Sequence, residues 1–524
     1  METPLTPLDF ARRARKFHGA REAVVDGDVR LTYAEFCSRC DAWSAGLRTL
    51  GVDKGDRIAT IAPNTHQHLE QFYAIPQRGA VIVPMNYRLT ADDFVYMVAH
   101  SGAKMLCVHS EYLDLIDGVR ARMPSVRHFV ALEGERPGWL AYESLLEAGE
   151  AATFDVNTIA ESDLLAVNYT SGTTSRPKGV MITHRNAWMN SVGTLAHWPM
   201  TPADRYLWTL PMFHANGWTF PWTVTAAAAA HVCLRKVDAA HIYEQVDRER
   251  ITHLCAAPTV LIGIANGPEA ERRQLRRGVR VFTAGAPPAA ATIERLEADL
   301  GWEVTHVYGL TETAPFISIC EPLPEHALLS GADRAVIKAR QGIELITSGE
   351  LRVLDEQMRD VPRDGGTLGE IVARGNVVMR GYYNDPEATE KALKGGWFHT
   401  GDAAVVHEDG YVEIRDRFKD VIISGGENIS SIEVEGVLLR HCSVLEVAVV
   451  GMPHEKWGET PHAFVVLRPG TAVADGEFRE FARRLLAHFK VPTAFHVVSE
   501  LPKTATGKIQ KFVLRGRASA IVRQ

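Results

Sequence analysis

Twelve residues, YTSGTTSRPKGV from Tyr169 to Val180, gather five Ser and Thr hydroxyls, two glycines and two cations into one short run. Small residues let a backbone turn tightly, and consecutive N–H groups with Ser and Thr hydroxyls can surround phosphate oxygens. Arg176 and Lys178 add the positive charge that such oxygens need, so a nucleotide triphosphate is the natural ligand. The run contains no G-x-x-x-x-G-K-[ST], which argues against P-loop kinases and motors. A plain surface loop could share this composition. Other residues must therefore decide.

Six further motifs follow in order: TAGAPP at 283–288, VYGLTET at 307–313, GEIVARG at 369–375, WFHTGD at 397–402, RDRFKDVIISGGENIS at 415–430 and PKTATGK at 502–508. With the first, they resemble the signatures of the acyl-adenylate-forming superfamily of acyl-CoA synthetases, luciferases and peptide-synthetase adenylation domains. The likeness spans nearly the whole chain. One departure is visible: Ser175 stands where the family usually has Gly, and Ser would carry strain if that position needs positive φ.

Several roles are implied by the resemblance. Thr170, Ser171, Gly172, Thr173, Thr174 and Lys178 would hold phosphates. Thr311 would meet the α-phosphate, and Glu312 with Thr170 would bind Mg²⁺, a hard cation suited to oxygen ligands. Tyr308, beside Gly309, would stack on adenine against the backbone of Gly285, Ala286 and Pro287 and the edge of His306. Asp402 would accept the ribose hydroxyls, with Arg417 near ribose and phosphate. Lys508 would act with Thr311 and Glu312 in catalysis, stabilising charge as a carboxylate attacks phosphorus. Lys419 would be a hinge, and Gly425 and Gly426 would let the pantetheine arm of CoA pass close to backbone. His214 and Trp218, in PMFHANGWTFPW, would line the acyl pocket; Trp218 and Trp222, four residues apart, read equally well as packed core. Singly, each residue has a bland reading as core, cap, turn or solvated surface.

The expected activity is an AMP-forming acyl-CoA synthetase using ATP, Mg²⁺ and coenzyme A on an apolar carboxylic acid, with chain length open. Transfer of the acyl group to an amine or carrier protein is the alternative within adenylation chemistry, and a non-catalytic nucleotide-binding protein the alternative outside it. A homodimer is compatible with all three.

These residues need a scaffold that brings distant loops together. DRIATIAP, AVIVPMN and KMLCVH read as strands separated by the helical THQHLEQFYAIPQRG and TADDFVYMVAHSG. Such alternation predicts parallel strands with right-handed crossovers, and ligands beyond the strands' carboxyl ends. YLWTLP, HVCLRK, THLCAAP, VRVFTAG and EVTHVYG repeat the rhythm. From about Glu350 the pattern becomes antiparallel, with ELRVLD, GEIVARG and YVEIRD. The predicted fold is α/β: a large N-terminal domain over 1–415 with two mostly parallel α/β sheets and a β-barrel-like part, a hinge at 416–420, and a small mobile α+β domain over 421–524.

The 524-residue chain exceeds what one core usually supports, and 46% hydrophobic residues suffice for a sizeable interior. Its formal net charge of -7 makes nucleic acid a poor partner. No apolar run is long enough to span a bilayer and the N-terminus lacks a signal-like apolar stretch, so a cytoplasmic protein is expected. Cys37 and Cys40 form a lone CxxC inside a helical pattern opened by a Thr32–Glu35 capping box, which predicts two packed helix residues and no metal.

Overall fold

The computed structural model describes residues 2–147, 158–170, 176–268, 272, 275–418, 420–425, 427–474, 476–503 and 509–522. Among the sequence-predicted site residues, Ser171, Gly172, Thr173, Thr174, Lys419, Gly426 and Lys508 lie outside the described residues, as does Ser175.

Helix boundaries follow local chemistry. Helix Tyr33–Thr49 starts at a capping box in which the Thr32 hydroxyl accepts the Glu35 N–H and the Glu35 carboxylate accepts the Thr32 N–H. Cys37 and Cys40 sit on its buried face, and burial pushes the Cys37 thiol up to about 12. Both pack as core, as the helical pattern predicts. Helix Ala91–Ser101 repeats the device with Thr90 and Asp93 and stops at Gly102, whose φ of 61° is the left-handed conformation that glycine adopts without cost.

Two large sheets form the N-terminal part. The first runs Gly381–Tyr382, Lys178–Thr183, Leu164–Thr170, Val81–Met85, Arg57–Ile61, Met105–Val108, His128–Ala131, Leu140–Ala141. Its strands are parallel from Leu164–Thr170 onward, and Val81–Met85 is buried throughout, as a strand covered on both faces must be. The second sheet has nine strands, with Glu303–Gly309, Arg280–Thr283, His253–Ala256, Arg205–Trp208, Ala230–Cys233 and Glu22–Asp26 parallel at its centre. Between the sheets lies one apolar core, joining Ile58 and Ile82 through Phe36, Phe72 and Tyr73 to Tyr206 and Trp208.

The part expected to be barrel-like is a four-stranded antiparallel sheet of Glu350–Leu354, Gly369–Arg374, Phe398–Val406 and Val412–Arg417. Beyond it, Ile422–Ser424, Glu427–Ile429, Val444–His454, Gly458–Leu467 and Ala494–Val497 make a mixed sheet packed by helices Ser431–Leu438 and Glu477–Leu485. The α/β class holds, with a large N-terminal domain and a small C-terminal one.

Candidate active site

Strand ends place the site. Thr170 and Lys178 are paired Cα partners across an antiparallel hairpin, at the carboxyl end of a strand whose other neighbour, Val81–Met85, runs parallel to it. Residues 171–175 lie between them. Arg176 is already engaged: its guanidinium stands 5.1 Å from the Tyr96 ring centroid, and the Tyr96 hydroxyl donates to the Pro177 carbonyl at 3.2 Å. Lys178 faces the other way, 4.9 Å from the Tyr382 ring centroid and 4.0 Å from the Asp385 carboxylate.

The VYGLTET segment begins as strand Glu303–Gly309 and turns at Leu310 into one tight turn, Thr311–Thr313. Gly309 is required by space, since a Cβ there would lie 1.8 Å from the Pro315 carbonyl oxygen. The turn presents Thr311 and Glu312 half-buried. Tyr382 donates its hydroxyl to Glu312 Oε1 at 2.8 Å; among the described residues no other side chain hydrogen-bonds that carboxylate and no Lys or Arg pairs with it. The backbone carbonyl of Glu312 accepts the Met379 N–H at 2.7 Å, tying the turn to the chain that carries Tyr382.

Tyr308, on that same strand, meets Asp402 and Arg417 of the antiparallel sheet. The Tyr308 hydroxyl donates to Asp402 Oδ2 at 2.6 Å, and Arg417 Nε lies 2.9 Å from Asp402 Oδ1. Asp402 and Arg417 are cross-strand partners, so register alone brings the two charges together. Burial, reinforced by the Asp402 charge, holds the Tyr308 phenol well above its ordinary pKa, so it stays a donor. For Arg417 burial works against the charge, and Asp402, Tyr308 and Glu312 more than offset it, leaving the guanidinium raised. A carboxylate offers about four lone-pair directions, so Asp402 keeps capacity for hydroxyl donors beside these two partners.

Gly285, Ala286 and Pro287 follow strand Arg280–Thr283 as a shelf, with Gly285 and Ala286 exposed and Gly285 at φ 88°. His306 is 2% exposed, and its Nδ1 faces the carbonyls of Ala339 and Arg340 at 2.9 and 2.8 Å. Burial lowers its pKa to about 4, so the ring is neutral near pH 7. Gly425 has φ 60° and donates its N–H to the Trp457 carbonyl at 2.8 Å.

His214 is half-buried and precedes a feature that the sequence did not announce. Ala215, Asn216, Gly217, Trp218 and Thr219 all have positive φ, from 39° to 71°. Left-handed backbone costs non-glycine residues roughly 1–2 kcal/mol each, so surrounding packing must hold this turn. Thr219 Oγ1 lies 2.8 Å from Ser191 Oγ, and the Trp218 ring meets Phe316 edge-on at 5.8 Å. Behind Phe316 the rings continue through Phe282, Phe220 and Trp198 to Tyr206, every one buried. Trp222 is core as well, edge-on to Phe72.

The geometry offers a nucleotide site between strand ends of both large sheets and the antiparallel sheet, and comparisons with known proteins agree. Residues 10–383 match the AMP-binding enzyme model, and residues 433–508 the AMP-binding enzyme C-terminal domain. A 2-methylpropanoate–CoA ligase of Humulus lupulus is 42% identical, over 98% of this chain and 95% of its own. A peroxisomal trans-cinnamate:CoA ligase of Petunia hybrida is 39% identical, over 99% and 94%. The crystal structure of ATP-bound MatB from Rhodopseudomonas palustris superposes with a TM-score of 0.86 at 27% identity, covering 98% of this chain and 99% of that one. The chain belongs to the AMP-binding enzyme family, the acyl-adenylate-forming superfamily. Within it, the protein is an AMP-forming acyl-CoA synthetase, an acid–thiol ligase that uses ATP, Mg²⁺ and coenzyme A on a carboxylic acid.

The Glu312 carboxylate fits the metal. Mg²⁺ is commonly held by one or two carboxylates plus substrate phosphates. Among the described residues no cluster of three His, Cys, Asp or Glu side chains could hold a metal by itself, and there too the half-buried Glu312 carboxylate makes no ion pair with a Lys or Arg.

Proposed function

We propose that the ligase activates a short or branched apolar acid and works by alternating two arrangements of its C-terminal domain. What supports the acid class is the buried ring series behind Trp218, which fills the interior on the far side of that indole. The two relatives are named for a short branched acid and an aryl acid, and the filled interior favours the former.

In the first half-reaction the substrate carboxylate attacks the α-phosphorus of ATP, forming acyl-AMP and releasing pyrophosphate. Lys178 and the loop 170–174 hold the phosphates, and Thr311 meets the α-phosphate. Mg²⁺, when bound at Glu312 with Thr170, neutralises phosphate charge. Asp402 accepts the ribose hydroxyls while Arg417 keeps its carboxylate in place, and Tyr308 stacks on adenine over the 285–287 shelf beside His306. Lys508 supplies positive charge where the attack occurs. For the second half-reaction the C-terminal domain turns about Lys419, Lys508 withdraws, and Gly425 and Gly426 arrive to admit the CoA thiol, which displaces AMP.

We infer a reducing compartment, the cytoplasm, since all seven cysteines are free thiols. The testing experiment is mass-spectrometric product analysis with ATP, Mg²⁺ and acids from two to sixteen carbons plus aryl acids (roughly the size range an apolar pocket admits), with and without CoA. Thioester from C3–C6 acids only with CoA is expected. Preference for long-chain or aryl acids would overturn the acid class.

A further inference from the structure

One side chain touches both halves of the phosphate and metal site. Tyr382 donates its hydroxyl to Glu312 Oε1 at 2.8 Å, while Lys178 Nζ lies 4.9 Å from the centroid of its ring. The carboxylate belongs to the turn after strand Glu303–Gly309, and the ammonium to strand Lys178–Thr183. These come from different large sheets, so their relative placement is not set by any single ladder.

The segment carrying Tyr382 is fastened at every step. Met379 N–H donates to the Glu312 carbonyl at 2.7 Å, Arg380 N–H to Met181 at 3.0 Å, and Tyr383 N–H to Gly179 at 2.7 Å. Tyr382 pairs with Val180 across the sheet edge, and its own N–H donates to Thr389 Oγ1 at 2.9 Å. Gly381 at φ 145° lies where an added Cβ would meet Thr389 at 2.7 Å, so the segment is packed against helix Pro386–Ala392. Asp385, which caps that helix, is the carboxylate 4.0 Å from Lys178. The ring is therefore held by the backbone on both sides, with its hydroxyl and its face left to act.

From this placement we propose that Tyr382 is a positioning residue for the adenylation step: its hydroxyl holds one Glu312 oxygen so that the other would be left to ligate Mg²⁺, and its ring keeps Lys178 aimed at the phosphates. The inference rests on the metal role given to Glu312 above. A donor behind a ligating carboxylate fixes its orientation, and removing such outer partners typically costs about 10–100-fold in metal affinity or activity. A cation over an aromatic face is attracted by the ring's quadrupole, which biases the rotamers of a long side chain.

The test uses the full chain with a non-hydrolysable ATP analogue, titrated with Mn²⁺ and followed by the electron paramagnetic resonance signal of the free ion. Tyr382→Phe keeps the ring and loses the hydroxyl; its metal midpoint should rise about tenfold. Nucleotide affinity without metal should stay within about twofold of wild type, and so should KM for the acid. Tyr382→Leu loses the ring as well and should weaken nucleotide binding in EDTA. An unchanged metal midpoint in Tyr382→Phe overturns the inference. Equal losses for metal, nucleotide and acid would make Tyr382 merely structural and overturn it too. A wild-type protein that binds the nucleotide but takes up no Mn²⁺ would instead remove the metal role of Glu312 itself.

Discussion

Asp402 shows how much one side chain is asked to do. It is buried, accepts from Tyr308 and pairs with Arg417 before any ribose arrives. Asp402→Asn keeps the shape but removes the charge that holds Arg417, so KM for ATP should rise at least about tenfold while KM for the acid stays near wild type, as for a lost ground-state contact. Steady-state kinetics with each substrate varied separately will read this. Trp218 is a contrasting case, because its ring touches Phe316 and is 4% exposed. Truncating a buried Trp typically costs about 3–5 kcal/mol, so Trp218→Ala should lower the unfolding midpoint in urea. The opened volume should also move the acid preference toward longer chains, and a competition assay with mixed acids will show whether it does.

Among elements, the joint between strand Glu303–Gly309 and the Thr311–Thr313 turn is the least forgiving. Gly309→Ala would drive a methyl into the Pro315 carbonyl, and overpacking of this kind costs about 1–3 kcal/mol or more. We expect loss of nucleotide binding together with a lowered thermal midpoint, measured by a fluorescent ATP analogue and by calorimetry. This element was legible in the sequence because VYGLTET is a motif, and the alternating strands and helices were legible because period-2 and period-3.6 patterns differ. The Thr32–Glu35 cap was legible from two residues. The turn at Ala215–Thr219 was not: it holds one glycine, and no local propensity favours five left-handed residues in a row. Only tertiary packing around it explains the conformation. Tyr382 was missed for a related reason, since GYYNDPEAT reads as a loop and its partner Glu312 is seventy residues away. Its position a few residues beyond GEIVARG was the available signal.

At the scale of the whole molecule, buried imidazoles set the acid limit. Burial lowers His68 and His306 to about 4 and His184 and His231 to about 3. An unfolded histidine titrates near 6.5, so below that pH the unfolded chain binds more protons than the folded one. The stability these groups contribute is complete above about pH 6.5 and is lost as pH falls toward 3. Urea midpoints measured at pH 7.5, 6 and 5 should therefore decline in that order. Domain alternation has its own test: Lys508→Ala should abolish acyl-AMP formation yet leave thioester formation from supplied acyl-AMP largely intact, read by quenched assays of each half-reaction.

Two neighbouring residues at the end of the antiparallel sheet belong to different conversations. Successive side chains of a strand point to opposite faces. Arg417 turns toward Asp402, whereas the buried carboxylate of Asp416 accepts both the N–H and the hydroxyl of Ser431, at 2.8 and 2.5 Å, at the start of the first helix of the C-terminal domain. In the proposed turn of the C-terminal domain, Asp416, paired with Ala403, would part from Ser431. One peptide unit thus links the Arg417–Asp402 pair, proposed to meet the ribose, to the Asp416–Ser431 clasp. Coupling between two such equilibria is reciprocal: whatever bias nucleotide exerts on the clasp, the clasp returns to nucleotide affinity. On the proposed alternation, AMP departure and the domain's return to its starting pose would share a single free-energy balance, and a mutation that loosens the clasp should change how long product is retained.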